Sequence, residues 1–165
     1  VGADGTIIRP GMTVMVDTNG DFTGYMSDLT RVFTPENVDE LALKAHQCSI
    51  DICHAIAREA KPGAKASALY EMAQDIVKSR SLERYFMGYS QKAGFIGHGV
   101  GIDINELPVL SPKSHDILQL NNVIALEPKF VIPEVGAVGI ENTYVVRADG
   151  LECLTDMTED IIRLE

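Results

Sequence analysis

Three kinds of hydrophobic pattern follow one another along this chain, and their order leaves few folds open. Thr13-Val14-Met15-Val16-Asp17 is a short apolar run entered from Pro10-Gly11 and stopped by the turn cluster Thr18-Asn19-Gly20-Asp21. A second strand runs from Gly24 to Phe33, with Asn19-Gly20 as the expected bend of the hairpin. The period then changes. From Thr34-Pro35, read as N-cap and first helical position, Val38, Leu41, Ala45, Cys48, Ile52 and Ile56 recur at steps of three or four, and the helix ends near Pro62-Gly63. Ser67 caps a second helix through Leu69, Met72, Ala73, Ile76 and Val77. From Gly94 onward the runs are short again and broken by Gly and Pro: Phe95-Ile96-Gly97, Val123 to Leu126, and Val138 through Val146. A hairpin, two helices and several strands predict an α+β domain in which helices cover one face of a curved antiparallel sheet.

At 165 residues and 45% hydrophobic, the chain has material for one core and one domain. It begins at Val1, and Gly2-Ala3-Asp4-Gly5 reads as the interior of a loop, so the expectation is a C-terminal portion of a longer polypeptide. A net charge of -10 argues against nucleic acid or an anionic membrane surface as partner, since both require clustered Lys and Arg. Cys48, Cys53 and Cys153 form no CxxC pair and imply packing thiols of a reducing, cytoplasmic environment rather than a disulfide framework. No apolar run approaches the roughly 20 residues of a membrane-spanning helix.

Carboxylates interrupt these apolar runs where burial is expected. Asp17 and Asp28 each fall within or at the end of a strand pattern, where an unpaired carboxylate would be costly, so something positive must stand beside them: Arg31 or a bound cation. Gly97-His98-Gly99-Val100-Gly101 places a histidine without bulky neighbours, a structural imidazole or a metal ligand. Leu126-Glu127-Pro128 and Ile140-Glu141-Asn142 each put a glutamate at the end of an apolar run. Taken together, four carboxylates and one imidazole suit Mn, Fe, Co or Zn, and their charge can be balanced by two divalent ions. Glu36, Asp39, Glu40, Glu159 and Asp160 read as solvated helix ends or tail, and His46, His54 and His115 as packing or surface residues.

With its separations of 11, 70, 29 and 14 residues, this set resembles the pita-bread metallopeptidases, the family of methionine aminopeptidase, aminopeptidase P, prolidase and creatinase, and most of all aminopeptidase P and prolidase. The resemblance runs from about Gly11 to Leu154. It implies that Asp17 binds one metal, that His98 and Glu127 bind the other, and that Asp28 and Glu141 bridge both. It further implies hydrolysis of a short peptide, of the Xaa-Pro type, by water activated between the metals, with Glu127 as proton shuttle and a homodimeric, cytoplasmic protein. The alternatives are a hydrolase or lyase of small amides or osmolytes on the same metal centre, and a binding module without activity.

Two positions depart from the pattern. The relatives carry a second histidine seven residues after the metal histidine, in a His-Glu-x-Pro stretch; this chain reads Asn105-Glu106-Leu107-Pro108. An amide there can still donate a hydrogen bond to a developing oxyanion, which makes Asn105 a candidate catalytic residue. Prolidases often follow that proline with an arginine that holds the dipeptide carboxylate, and here the residue is Val109.

Overall fold

The first hairpin forms, but it bends later than the sequence suggests. In the computed structural model, which describes residues 5–164, β1 (Val14–Phe22) pairs antiparallel with β2 (Tyr25–Thr34), and Thr23-Gly24 makes the turn. Both turn residues have positive φ, 54° and 85°, the left-handed geometry that matches the twist of the flanking strands and that Gly24 adopts without strain. Asp21 accepts the Gly24 N–H at 2.8 Å. Asn19 and Gly20, expected at the bend, continue the ladder opposite Asp28 and Ser27. This register sets Asp17 across from Thr30. Residues two apart share a face of a strand, so Asp17, Thr30 and Asp28 stand together on one face, the two aspartates as diagonal neighbours. The expected loop at Gly2-Ala3-Asp4 lies outside the described residues.

Helix α1 (Glu40–Glu59) starts at Asp39, whose carboxylate accepts the Ala42 N–H at 2.8 Å. Thr34 is therefore not its cap. It closes β2, and its hydroxyl donates to the Glu36 carbonyl at 2.6 Å. Ser67 is not a cap either: α2 (Ala66–Ser79) has Lys65 at the N-cap without a side-chain bond, and the Ala66 N–H is taken by the Asp116 carbonyl at 3.0 Å. A distant loop does there what a local hydroxyl was expected to do. Both apolar stripes are as read, with Ala45, Cys48, Ile52 and Ile56 of α1 and Leu69, Ala73 and Val77 of α2 buried in one core. Cys153, expected to pack, is exposed.

The remaining strands are β3 (Gly97–Gly99), β4 (Val123–Leu126), β5 (Lys129–Ile132), β6 (Gly136–Gly139), β7 (Asn142–Arg147), β8 (Gly150–Cys153) and β9 (Ile162–Arg163). They form sheets of order β1-β2-β9, β3-β4-β7-β8 and β5-β6, antiparallel except for β2-β9, and α1 packs on β5, β6 and β8. The run expected from Val138 to Val146 is two strands. It breaks at Ile140-Glu141, where the chain leaves its pairing with β5 and takes up pairing with β4, and an isolated bridge from Glu141 to Thr30 ties that break to the first hairpin. Gly139, at φ 135°, makes the change possible: a Cβ there would lie 2.7 Å from the Pro128 carbonyl oxygen. Among the described residues, no helix is long and apolar enough to cross a membrane.

His46 packs as expected, with a consequence for stability. Its Nδ1 accepts the Gly139 N–H at 3.1 Å while Nε2 faces the Glu159 carbonyl at 2.7 Å, an arrangement that fits only the neutral ring. Burial holds its pKa below the ordinary 6.5. A base with a lowered folded pKa contributes stability that is complete above about pH 6.5 and is lost as the pH falls through the folded value. His46→Gln should therefore melt below the parent at pH 8, and the gap should close towards pH 5. A gap independent of pH would show that the ring is held for its shape alone.

Candidate metal centre

Five elements converge on one small volume. β1 supplies Asp17, β2 supplies Asp28, β3 supplies His98, the residue after β4 is Glu127, and Glu141 sits in the break between β6 and β7. The glycines beside His98 serve the approach of backbones: a Cβ at Gly97 would stand 2.4 Å from the Ala125 carbonyl oxygen, and one at Gly99 would stand 2.3 Å from that of Leu107. The backbone on either side of His98 is thereby packed closely against neighbouring segments. With Nδ1 donating to the Gly99 carbonyl at 3.0 Å, Nε2 turns to the carboxylates, 3.3 Å from Glu127 Oε1, 3.7 Å from Asp28 Oδ2 and 4.0 Å from Glu141 Oε1. Asp28, His98 and Glu141, all buried, each offer a ligand atom within 4.8 Å of the others.

The backbone around these groups is fixed by threonines that the sequence reading passed over. Thr143 Oγ1 donates to the Asp28 carbonyl at 2.7 Å and accepts the Asp28 N–H at 3.0 Å. Thr30 Oγ1 donates to Glu141 Oε2 at 2.6 Å. Arg31, considered as the partner of Asp17 and Asp28, touches neither. Its guanidinium is buried against the carbonyls of Thr30, Glu141, Met157 and Thr158 and the amide oxygen of Asn142. The cation beside the carboxylates is Lys129, whose Nζ lies 2.9 Å from Asp17 Oδ2, 2.9 Å from Glu127 Oε2 and 3.0 Å from Glu141 Oε2. The only sequence signal for it was its position two residues after Glu127, where the alternation of a strand returns a side chain to the same face.

Burial and mutual charge set the protonation of this cluster. Glu141 is pushed up to about 7, chiefly by burial, with Lys129 opposing. Burial and the neighbouring Asp17 also raise Asp28. Burial would raise Glu127 as well, but His98 and Lys129 outweigh it and hold that carboxyl below its usual range. For Lys129 burial acts downward, and the carboxylates of Glu141 and Glu127 more than offset it. Glu159, read as a solvated tail residue, instead pins the C-terminal segment: its carboxylate meets His54 at 2.9 Å and Asn142 Nδ2 at 3.0 Å.

Beside His98 lies a hollow of about 330 Å³ lined by Phe95, His98, Asn105, Glu106, Leu107 and Val109. Asn105 is exposed on its rim. Among the described lining residues there is a carboxylate but no lysine or arginine.

The family described as metallopeptidase family M24 matches residues 2–148. The Xaa-Pro dipeptidase of Pyrococcus furiosus is 30% identical over 155 residues, covering 94% of this chain and 43% of that protein. Among solved structures, the prolidase from Pyrococcus horikoshii superposes with a TM-score of 0.85 at 28% identity, covering 97% of this chain and 44% of that one. The X-Pro aminopeptidase from Thermotoga maritima reaches a TM-score of 0.88 at 22% identity, with 98% and 44% covered, and speaks for the fold alone. The chain spans less than half the length of these relatives.

Proposed function

Because this chain belongs to metallopeptidase family M24 and carries its α+β pita-bread fold, we propose that it forms the metal-binding part of a metal-dependent peptidase acting on Xaa-Pro bonds. The observation that carries this reading is the buried grouping of Asp28, His98 and Glu141 with Glu127 alongside. One imidazole with carboxylates is a donor set for Mn, Fe, Co or Zn, and these four residues would hold the ion. The family resemblance adds Asp17 to the donors and a second ion to the centre. When bound, a divalent ion supplies Lewis-acid polarisation of the scissile carbonyl and eases loss of a proton from water.

The chain's own groups have separate tasks in this reading. Glu127, kept ionised by His98 and Lys129, accepts the proton of the attacking water and returns it to the leaving amine. His98 is held in one orientation by Gly99. The Asn105 amide donates to the oxygen on which charge develops. The hollow accepts an apolar side chain beside the reacting bond, and its lining of Phe95, Leu107 and Val109 with Glu106 suits a peptide that continues past the proline better than a free dipeptide carboxylate. A homodimer in the cytoplasm, and a preceding N-terminal portion, belong to the same proposal.

The test is a panel of Xaa-Pro dipeptides and Xaa-Pro-Xaa tripeptides, assayed with Mn or Co and again after chelation. Release of the N-terminal residue from the tripeptides, abolished by the chelator and restored by metal, is the expected result. Failure to cleave any peptide by a protein shown to hold metal would remove the peptidase reading and leave the small-amide alternative.

A further inference from the structure

We propose that the Lys129 ammonium occupies the place of one of the two cations that this donor set would otherwise hold, so that the centre binds a single metal ion. The inference rests on the metal-dependent reading above and narrows it. Glu127 and Glu141 each divide their two oxygens between two places. Their Oε1 atoms face His98 Nε2, at 3.3 and 4.0 Å, and Asp28 Oδ2 joins that side at 3.7 Å. Their Oε2 atoms face Lys129 Nζ, at 2.9 and 3.0 Å, and Asp17 Oδ2 joins that side at 2.9 Å. An ammonium has three N–H donors, and here it has three carboxylate acceptors at charge-assisted distances. Its bonding capacity is complete.

A metal ion in that second place would need the same three oxygens at about 2.0–2.2 Å. The two cations would then compete for the same lone pairs and repel each other across a few ångströms. Lys129 is poorly placed to yield. Its backbone pairs with Gly139 in the β5-β6 ladder, its N–H meets Met87 Sδ, and the side chain lies mostly out of solvent. Asp17 by contrast is half-exposed, and among the described residues its carboxylate pairs with Lys129, so in this chain it holds the ammonium rather than a metal. The other place, bounded by Asp28, His98, Glu127 and Glu141, offers one imidazole nitrogen and three carboxylates to one divalent ion.

Metal counting decides the matter without an activity assay. Purified protein equilibrated with excess Mn(II) and freed of loosely held ion should carry one Mn per chain, with the electron paramagnetic resonance spectrum of an isolated ion. Lys129→Met, similar in length but uncharged, should carry two and show an exchange-coupled pair. Asp17→Asn in the parent background should still carry one. Two ions per chain in the parent, falling to one in Asp17→Asn, would overturn the inference and leave the metal-dependent reading intact. A count that stays at one in a folded Lys129→Met would overturn it too, because the lysine would not be what excludes the second ion. No ion in the parent would end both readings. Should Lys129→Met fail to fold, the parent and Asp17→Asn counts decide alone.

Discussion

Glu141→Gln is expected to lower metal affinity at least 100-fold and turnover on a cleaved peptide by about 1000-fold, several kcal/mol of lost stabilisation. Glu141 is the hub of the cluster. One oxygen faces His98, the other takes the Thr30 hydroxyl and the Lys129 ammonium, and the side chain is almost wholly buried. An amide keeps the shape but removes the charge and one of the two acceptors. The fold should survive the change, because the glutamate is itself an unfavourable burial. Its carboxyl is raised from 4.5 to about 7, so in metal-free protein its contribution to stability is complete below about pH 4.5 and is lost as the pH rises through 7. In the presence of chelator, the parent should lose this increment between pH 5 and pH 8 and the variant should not. Metal titration, steady-state rates and melting curves across that range check the three parts. Parental metal content in the variant would remove Glu141 from the ligand set.

Arg31→Leu is expected to destabilise the fold by about 3–5 kcal/mol, which in a domain of this size lowers the melting temperature by roughly 6 to 20 °C. The guanidinium donates five hydrogen bonds, four of them at 2.9 Å or less, to groups that come from β2, from the break before β7, from the first residue of β7 and from the segment leading to β9. Removing it strands several buried carbonyl oxygens without a donor, and leucine cannot serve them. Lysine should not rescue the loss, since one point of charge cannot span positions that a planar fork reaches together. Because Arg31 holds the Glu141 carbonyl, metal binding should weaken alongside stability. Denaturant melts of the Leu and Lys variants test this, and a loss below about 1 kcal/mol would show that water takes over those carbonyls.

The fold was legible where a periodic pattern ran for many residues. The apolar stripes of α1 and α2 and the pairing of β1 with β2 follow from the side-chain spacing, and the acids at the ends of apolar runs pointed to the cluster of Asp17, Asp28, His98, Glu127 and Glu141. The errors were of a different physical kind. Asn19-Gly20 looks like a turn, but Thr23-Gly24 also supplies two left-handed positions, and the longer ladder wins, with nine pairs from Val14-Phe33 to Phe22-Tyr25. Ser67 looks like a cap, but the Asp116 carbonyl arrives from fifty residues away. Lys129 took a part considered for Arg31, because local sequence shows that a cation is needed and not which one the fold brings. Thr30 and Thr143 were invisible as site residues because nothing marks a hydroxyl until the strand opposite it is known.

The pairing of Lys129 with Gly139 separates the frame of the site from one of its contents. The β5 backbone is held by its ladder with β6 and by the packing of Phe130 against Phe86, none of which depends on the side chain at position 129. In evolutionary terms, that position can drift while the frame stays in place. A single codon change could convert a centre that carries its own ammonium into one that must recruit the missing charge from solution, or reverse the step, without passing through an unfolded ancestor.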